Sequence, residues 1–240
     1  GNYNTVVGDE AGTAITTGQR NTGVGYFSLA ANTTGVRNSG LGYGALASNT
    51  TGNYNVAVGD QSLITSTTAT YNTAVGYRAG NSVTTGIQNT LIGSLAGDSL
   101  TDSDKNVAVG YSALGVEVLG QFNVAIGRSA LQAQSNGSAV DVYNTAVGYN
   151  AGASVTTGIK NTLVGGLTGD GLTTGNNNTA MGYLSLSAST TASENSAFGA
   201  GSLNSTTTGT ANVAVGQNAA VTNTTGSNNT AIGQDALFYN

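Results

Sequence analysis

The 240-residue chain is 38% hydrophobic and only 7% charged, with 37 Gly, a net charge of −5 and no Pro, Cys, His or Trp. Ordinary globular chains carry about 25% charged residues, so this composition is unusual, yet recurring Val, Ile and Thr set it apart from disordered sequence. Six basic residues are too few to neutralise a nucleic-acid backbone or to hold the chain on anionic lipid. Without Cys or His there are no disulfides, thiolate metal sites, imidazole ligands or Ser-His-Asp arrangements.

Read from the N-terminus, an Asn precedes a three-residue stretch and a Gly at Asn4, Asn21, Asn38, Asn55, Asn72, Asn89, Asn106 and Asn123, then at Asn144, Asn161, Asn178, Asn195, Asn212 and Asn229. Every interval is 17 residues except the 21 between Asn123 and Asn144. The chain is therefore read as one repeat domain, 1–240, of fourteen units with a four-residue insertion in the unit 123–143. No apolar run approaches the roughly 18 residues of a membrane-spanning helix, so no direct membrane insertion is expected. The start at Gly1 reads as a fragment or processed product.

Counting each Asn as position 0, position 4 is always Gly, position 3 always apolar and position 7 always Ala, Ser or Thr. Positions 12 to 14 usually read Thr-Thr-Gly, a turn signal. A β-branched run, a Gly break, a second short segment and a turn cannot make a useful helix; they suit one coil of a parallel β-solenoid. Stacked at about 4.8 Å per coil, fourteen coils predict a rod of roughly 60–65 Å.

Position 8 is Leu in eight units and Gly at Gly12, Gly80, Gly97, Gly152 and Gly169, where position 11 becomes aliphatic (Ile15, Val83, Leu100, Val155 and Leu172). This predicts one interior hole per coil, filled from either side of a bend. The core is expected to hold position 3, one residue from position 8 or 11, and sometimes Val at position 1. Small residues at positions 2 and 7, such as Ala74 and Ala108, are expected to face another copy of the chain, because so thin a core is marginal alone.

In unit seven the polar turn is replaced by "GVEVLGQF" (115–122), and the insertion ends "AVDVY" (139–143). Val116, Val118, Leu119, Phe122, Val140, Val142 and Tyr143 thus form a candidate partner patch, with local packing of the insertion over the turn as the competing reading.

Motifs for chemistry are scarce. "GVGYFS" (23–28) and "GLGYGA" (40–45) lack the Gly-Lys-Ser/Thr of a phosphate loop. Asp98, Asp102 and Asp104 fall short of a calcium ligand set. The invariant Asn predicts an amide ladder along the stack. Tyr after the Gly, at Tyr26, Tyr43, Tyr77, Tyr111, Tyr149 and Tyr183, reads as a half-buried β-surface rather than a sugar-binding stripe. No catalytic residue, cofactor or metal is assigned.

The recurring "NTAVGY", "NVAVGYSAL", "NVAIGRSAL" and "NTAIGQDAL" resemble the head repeats of trimeric autotransporter adhesins (YadA-like), which run Asn-Ser-Val-Ala-Ile-Gly-x-x-Ser. They are similar also to the repeat arrays of bacteriophage tail-fibre-like proteins. The resemblance covers essentially the whole chain, although here the Asn stands one residue closer to the Gly and the unit is longer. It implies a left-handed parallel β-roll, trimeric, used in attachment outside the cell or on a virion surface.

The expected function is a structural and adhesive fibre segment, not an enzyme, working as a homo-oligomer against a cell-surface glycan or protein receptor. Two alternatives are an ice-binding solenoid, from Thr-Thr at positions 12–13, and a carbohydrate-active spike. The first needs Thr-x-Thr on one strand, and the second needs paired carboxylates about 5–9.5 Å apart.

Overall fold

A computed structural model describes residues 1–239. The chain forms two compact units: Gly1–Gln121 with Gly137–Val140, and Phe122–Asn136 with the chain from Asp141 onward. The 17-residue pattern of the single expected repeat domain runs through both. Each unit is an all-β parallel solenoid with one three-residue strand per coil, β1 (Thr5–Val7) to β7 (Val107–Val109) in the first and β8 (Val124–Ile126) to β14 (Thr230–Ile232) in the second. No helix forms among the described residues. Strands pair in parallel at the repeat register, so that Thr73, Ala74 and Val75 lie beside Thr90, Leu91 and Ile92. Hydrogen bonds between coils continue outside the strands, as from Leu63 N to Ala79 O (3.1 Å) and from Thr67 N to Thr84 O (3.0 Å).

Three positions per coil turn the chain through the left-handed region, mostly with ordinary residues: the residue before the Asn (Arg37, φ 57°), position 6 (Gln61, φ 56°) and position 8 (Leu63, φ 48°), the last being Gly in five coils. L-residues there cost roughly 1–2 kcal/mol each, offset by the packing and hydrogen bonds that hold every coil alike.

Side chains alternate along the segment that carries the strand. In the third coil Arg37, Ser39, Leu41 and Tyr43 are exposed, while Asn38 and Gly40 between them are buried. This reverses the sequence-based assignment of the faces. Position 2 is interior, with Ala57, Ala74, Leu91, Ala108, Ala146 and Leu163 fully buried, and so are Ala45, Ala79, Ala113 and Ala151 at position 7. Position 3 lies outside: Leu41 is 50% exposed, Ile92 40% and Met181 42%. Val56 and Val213 at position 1 are also exposed. The coil is too narrow for bulk at every inward position, so in most coils alanines line it and one large aliphatic residue plugs it, with a second leucine at position 2 in two coils (Leu91, Leu163). Ala74 and Ala108 are therefore core residues, not contact residues for a second copy.

The plug follows the expected compensation. Leu29, Leu46, Leu63, Leu114 and Leu131 are fully buried, and so are Val83, Leu100, Val155 and Leu172 in the coils with Gly at position 8. A Cβ on Gly80 would sit 2.7 Å from Leu91 Cδ1, 2.9 Å from Leu63 Cδ2 and 3.4 Å from Val83 Cγ2, so positions 8 and 11 point into one space. In leucine coils position 11 is buried too, but polar. Ser66 Oγ is buried there without a hydrogen-bond partner. Leu63→Gly is expected to cost about 2–5 kcal/mol, and adding Ser66→Val to recover part of it. Urea unfolding of both variants checks this; a double variant no more stable than the single refutes the shared space.

The Asn ladder forms and also closes each coil. Asn72 Nδ2 donates to Gly86 O, fourteen residues on (2.8 Å), while its Oδ1 accepts from the backbone N of Asn89 in the next coil (2.9 Å) and from Asn89 Nδ2 (3.1 Å). The same clasp joins Asn38 to Gly52 O (2.7 Å) in the first unit and Asn161 to Gly175 O (2.9 Å) in the second.

Candidate functional surface

The described residues enclose no pocket, so candidate function lies on surfaces. In each unit the outer sheet face carries Thr, Ser or Val at position 1 and an apolar residue at position 3. Tyr26, Tyr43, Tyr77 and Tyr111 at position 5 border it in the first unit, and Tyr149 and Tyr183 in the second. All six are exposed rather than half-buried, and Tyr26 stacks on Tyr43 in the next coil with centroids 5.5 Å apart. The negative charge of Glu10 above all, with Tyr43 and Asp9, holds the Tyr26 phenol above its ordinary pKa.

The residues of the expected partner patch are distributed over both units. In the first, Val116, Val118 and Val140 are exposed and Leu119 is half-buried. Their turn is anchored from inside by Glu117, a buried carboxylate whose Oε1 accepts from the backbone N of Val118, Leu119 and Gly120 at 2.8–3.0 Å. Gln121 N donates to Val140 O (3.0 Å), so the insertion packs along this turn. In the second unit Val142 is fully buried and therefore unavailable to a partner. Phe122 is half-buried and stacks on Tyr143 (5.1 Å, 15°), which is exposed.

The acidic turn is used by the protein itself. Asp102 Oδ1 accepts from Thr85 Oγ1 (2.5 Å) and Asp104 Oδ1 from Ile87 N (2.7 Å). Burial raises the pKa of Asp98 against the opposing pull of Arg78. No group of three or more acidic residues is placed to hold a metal ion among the described residues. The two Thr of the turn differ. The first donates its hydroxyl to the next coil, as from Thr33 Oγ1 to Thr50 O (3.0 Å) and Thr50 Oγ1 to Thr67 O (3.1 Å). The second is exposed at Thr17, Thr34, Thr51 and Thr68.

One surface escaped the reading of the sequence. The residue before the Asn faces outward in every coil of the first unit and reads Tyr3, Arg20, Arg37, Tyr54, Tyr71, Gln88, Lys105. Three of that unit's four cations stand in this single column, the fourth being Arg78. Arg37 lies over the Tyr54 ring, 5.2 Å from its centroid, and donates to its hydroxyl (2.6 Å). Tyr54 stacks on Tyr71 (4.9 Å, 9°). The signal was present as a 17-residue recurrence of Arg and Tyr, hidden because neither residue is constant there.

Comparison of the chain with protein-family models, with curated proteins and with solved structures gives no match.

Proposed function

We propose that this chain is a structural and adhesive fibre segment: a stack of coils that assembles with identical copies and presents its turns for attachment, outside the cell or on a virion. The observation that carries this reading is the outer sheet face. Its position 3 is apolar in all fourteen coils and carries exposed Val7, Leu41, Ile92, Ile126, Met181 and Phe198. An apolar row with a tyrosine border has the composition of a protein interface, apolar at the centre with aromatic residues enriched. Within each unit the row recurs once per coil, and the same unit of a second copy carries the same recurrence, so each rung finds an equivalent apolar rung. Three copies is the number implied by the resemblance to trimeric adhesin heads. An ice-binding face draws less support, since the first Thr of the turn gives its hydroxyl to the next coil, as at Thr16, Thr33 and Thr190.

Sedimentation tests the assembly. The wild-type chain is expected to be a homo-oligomer, and Val75→Asp with Ile92→Asp, both on the outer row, to give a monomer with unchanged β circular dichroism. A wild-type monomer at micromolar concentration would overturn the reading.

A further inference from the structure

The column before the Asn and the exposed Thr of the turn stand three residues apart, and in four successive rungs of the first unit they pair as Thr17 with Arg20, Thr34 with Arg37, Thr51 with Tyr54 and Thr68 with Tyr71. All eight side chains are exposed. The residue between each pair that the Asn clasp holds, such as Gly35 or Gly52, is small and buried, so the strip has no bulky side chain rising at that point. Charge is segregated around these four rungs, and the strip ends before Asp102, which stands in the Thr row two rungs on. Through residues 1–88 the acids are Asp9, Glu10 and Asp60, all at positions 5 and 6, beyond the other end of the strand.

We propose that this strip binds a linear acidic polysaccharide, a chain of uronic-acid residues, laid along the coil axis. The proposal rests on the attachment reading and names its ligand class. Guanidinium groups match carboxylates through paired, charge-assisted hydrogen bonds. Arg20 and Arg37 stand in adjacent coils, a strand spacing of about 4.8 Å apart. Threonine and tyrosine hydroxyls on the same rungs donate to and accept from sugar hydroxyls. The repetition favours a repeating ligand, because each further sugar meets the same kind of rung and weak contacts add within one chain.

A single-stranded nucleic acid is the competing polyanion, and ring geometry argues against it. Binding of that kind uses aromatic faces as platforms for bases. Here the faces of Tyr54 and Tyr71 cover one another (4.9 Å, 9°), and Arg37 covers the other side of Tyr54. Apart from one face of Tyr71, ring edges, hydroxyls and cations are what this pair offers, too few platforms for a run of bases.

Affinity electrophoresis of the full chain in gels containing sodium polygalacturonate, neutral dextran or neither tests the site. Wild type is expected to be retarded by polygalacturonate alone, and the retardation to disappear at high salt, as for exposed charge pairs. Arg20→Gln with Arg37→Gln is expected to weaken it about tenfold, with unchanged sedimentation and urea midpoint; Arg78→Gln, outside the column, is expected to leave it intact. Lack of retardation, equal retardation by dextran, an undiminished double variant, or tighter binding of an oligothymidylate than of polygalacturonate would each overturn the proposal. Sedimentation of the same samples reads assembly separately, so a chain that assembles without binding polygalacturonate refutes this site and leaves the fibre reading standing.

Discussion

Gly93→Ala is expected to be among the most damaging single substitutions in the first unit, costing more than about 4 kcal/mol. Gly93 lies at position 4 with φ +128°, and a Cβ there would fall 2.6 Å from Gly110 O and 2.7 Å from Gly110 C in the next coil. Both atoms are backbone, held by ladder bonds such as Gly110 N to Ile92 O (2.7 Å), so relief requires moving a whole rung. The conformation itself is one that L-residues rarely adopt. Thermal unfolding checks the expectation. For a chain of this size each kcal/mol moves Tm by roughly 2–4 °C, so a shift well above 8 °C is expected. Ser94→Ala, at the neighbouring half-buried residue, is the control. A Gly93→Ala protein melting within about 2 °C of wild type would show that the coils can separate locally at little cost, and the account of the invariant glycine would fail.

Asn72→Ala is expected to cost about 2–6 kcal/mol, from one to three for each buried backbone group it leaves unmatched. Gly86 O loses its donor from the side chain and Asn89 N loses its acceptor. The site is fully buried, so water does not replace them without opening the coil. The bond from Asn72 N to Asn55 Oδ1 (3.0 Å) is backbone on the Asn72 side and survives. Because the clasp closes a coil as well as joining two, amide hydrogen exchange should quicken both within the coil 72–88 and at Asn89 and Thr90 in the next. Asn72→Asp keeps the acceptor but removes the donor to Gly86 O and buries a carboxylate, so urea unfolding at neutral pH should rank it no better than Asn72→Ala. A loss below about 0.5 kcal/mol for the alanine variant would mean that the ladder decorates a coil held by other bonds.

The repeat period, the strand at positions 1 to 3, the absence of helix, the amide ladder and the exchange of bulk between positions 8 and 11 were all legible in the sequence. Each depends on identity at a fixed spacing, and stacking converts a 17-residue recurrence directly into adjacency. Which face is inside was not legible. Both faces of the strand are apolar, period-two alternation states only that positions 1 and 3 oppose position 2, and bulk suggested the wrong one. Closure of a narrow coil decided it: alanine or glycine fits where coil walls approach, and leucine enters at position 2 only at Leu91 and Leu163, each packed against coils with Gly at position 8. The left-handed residue before the Asn was equally hidden, since Arg, Tyr, Gln and Lys carry no local preference for that conformation; at positions 6 and 8 the occasional Gly (Gly44, Gly80) left a trace of it. Those bends set which side chains emerge at the coil's corner. Arg20, Arg37, Tyr54 and Tyr71 recur every 17 residues in the sequence, but only the tertiary structure turns that recurrence into an exposed column beside a row of threonine hydroxyls, by fixing the direction in which each residue points.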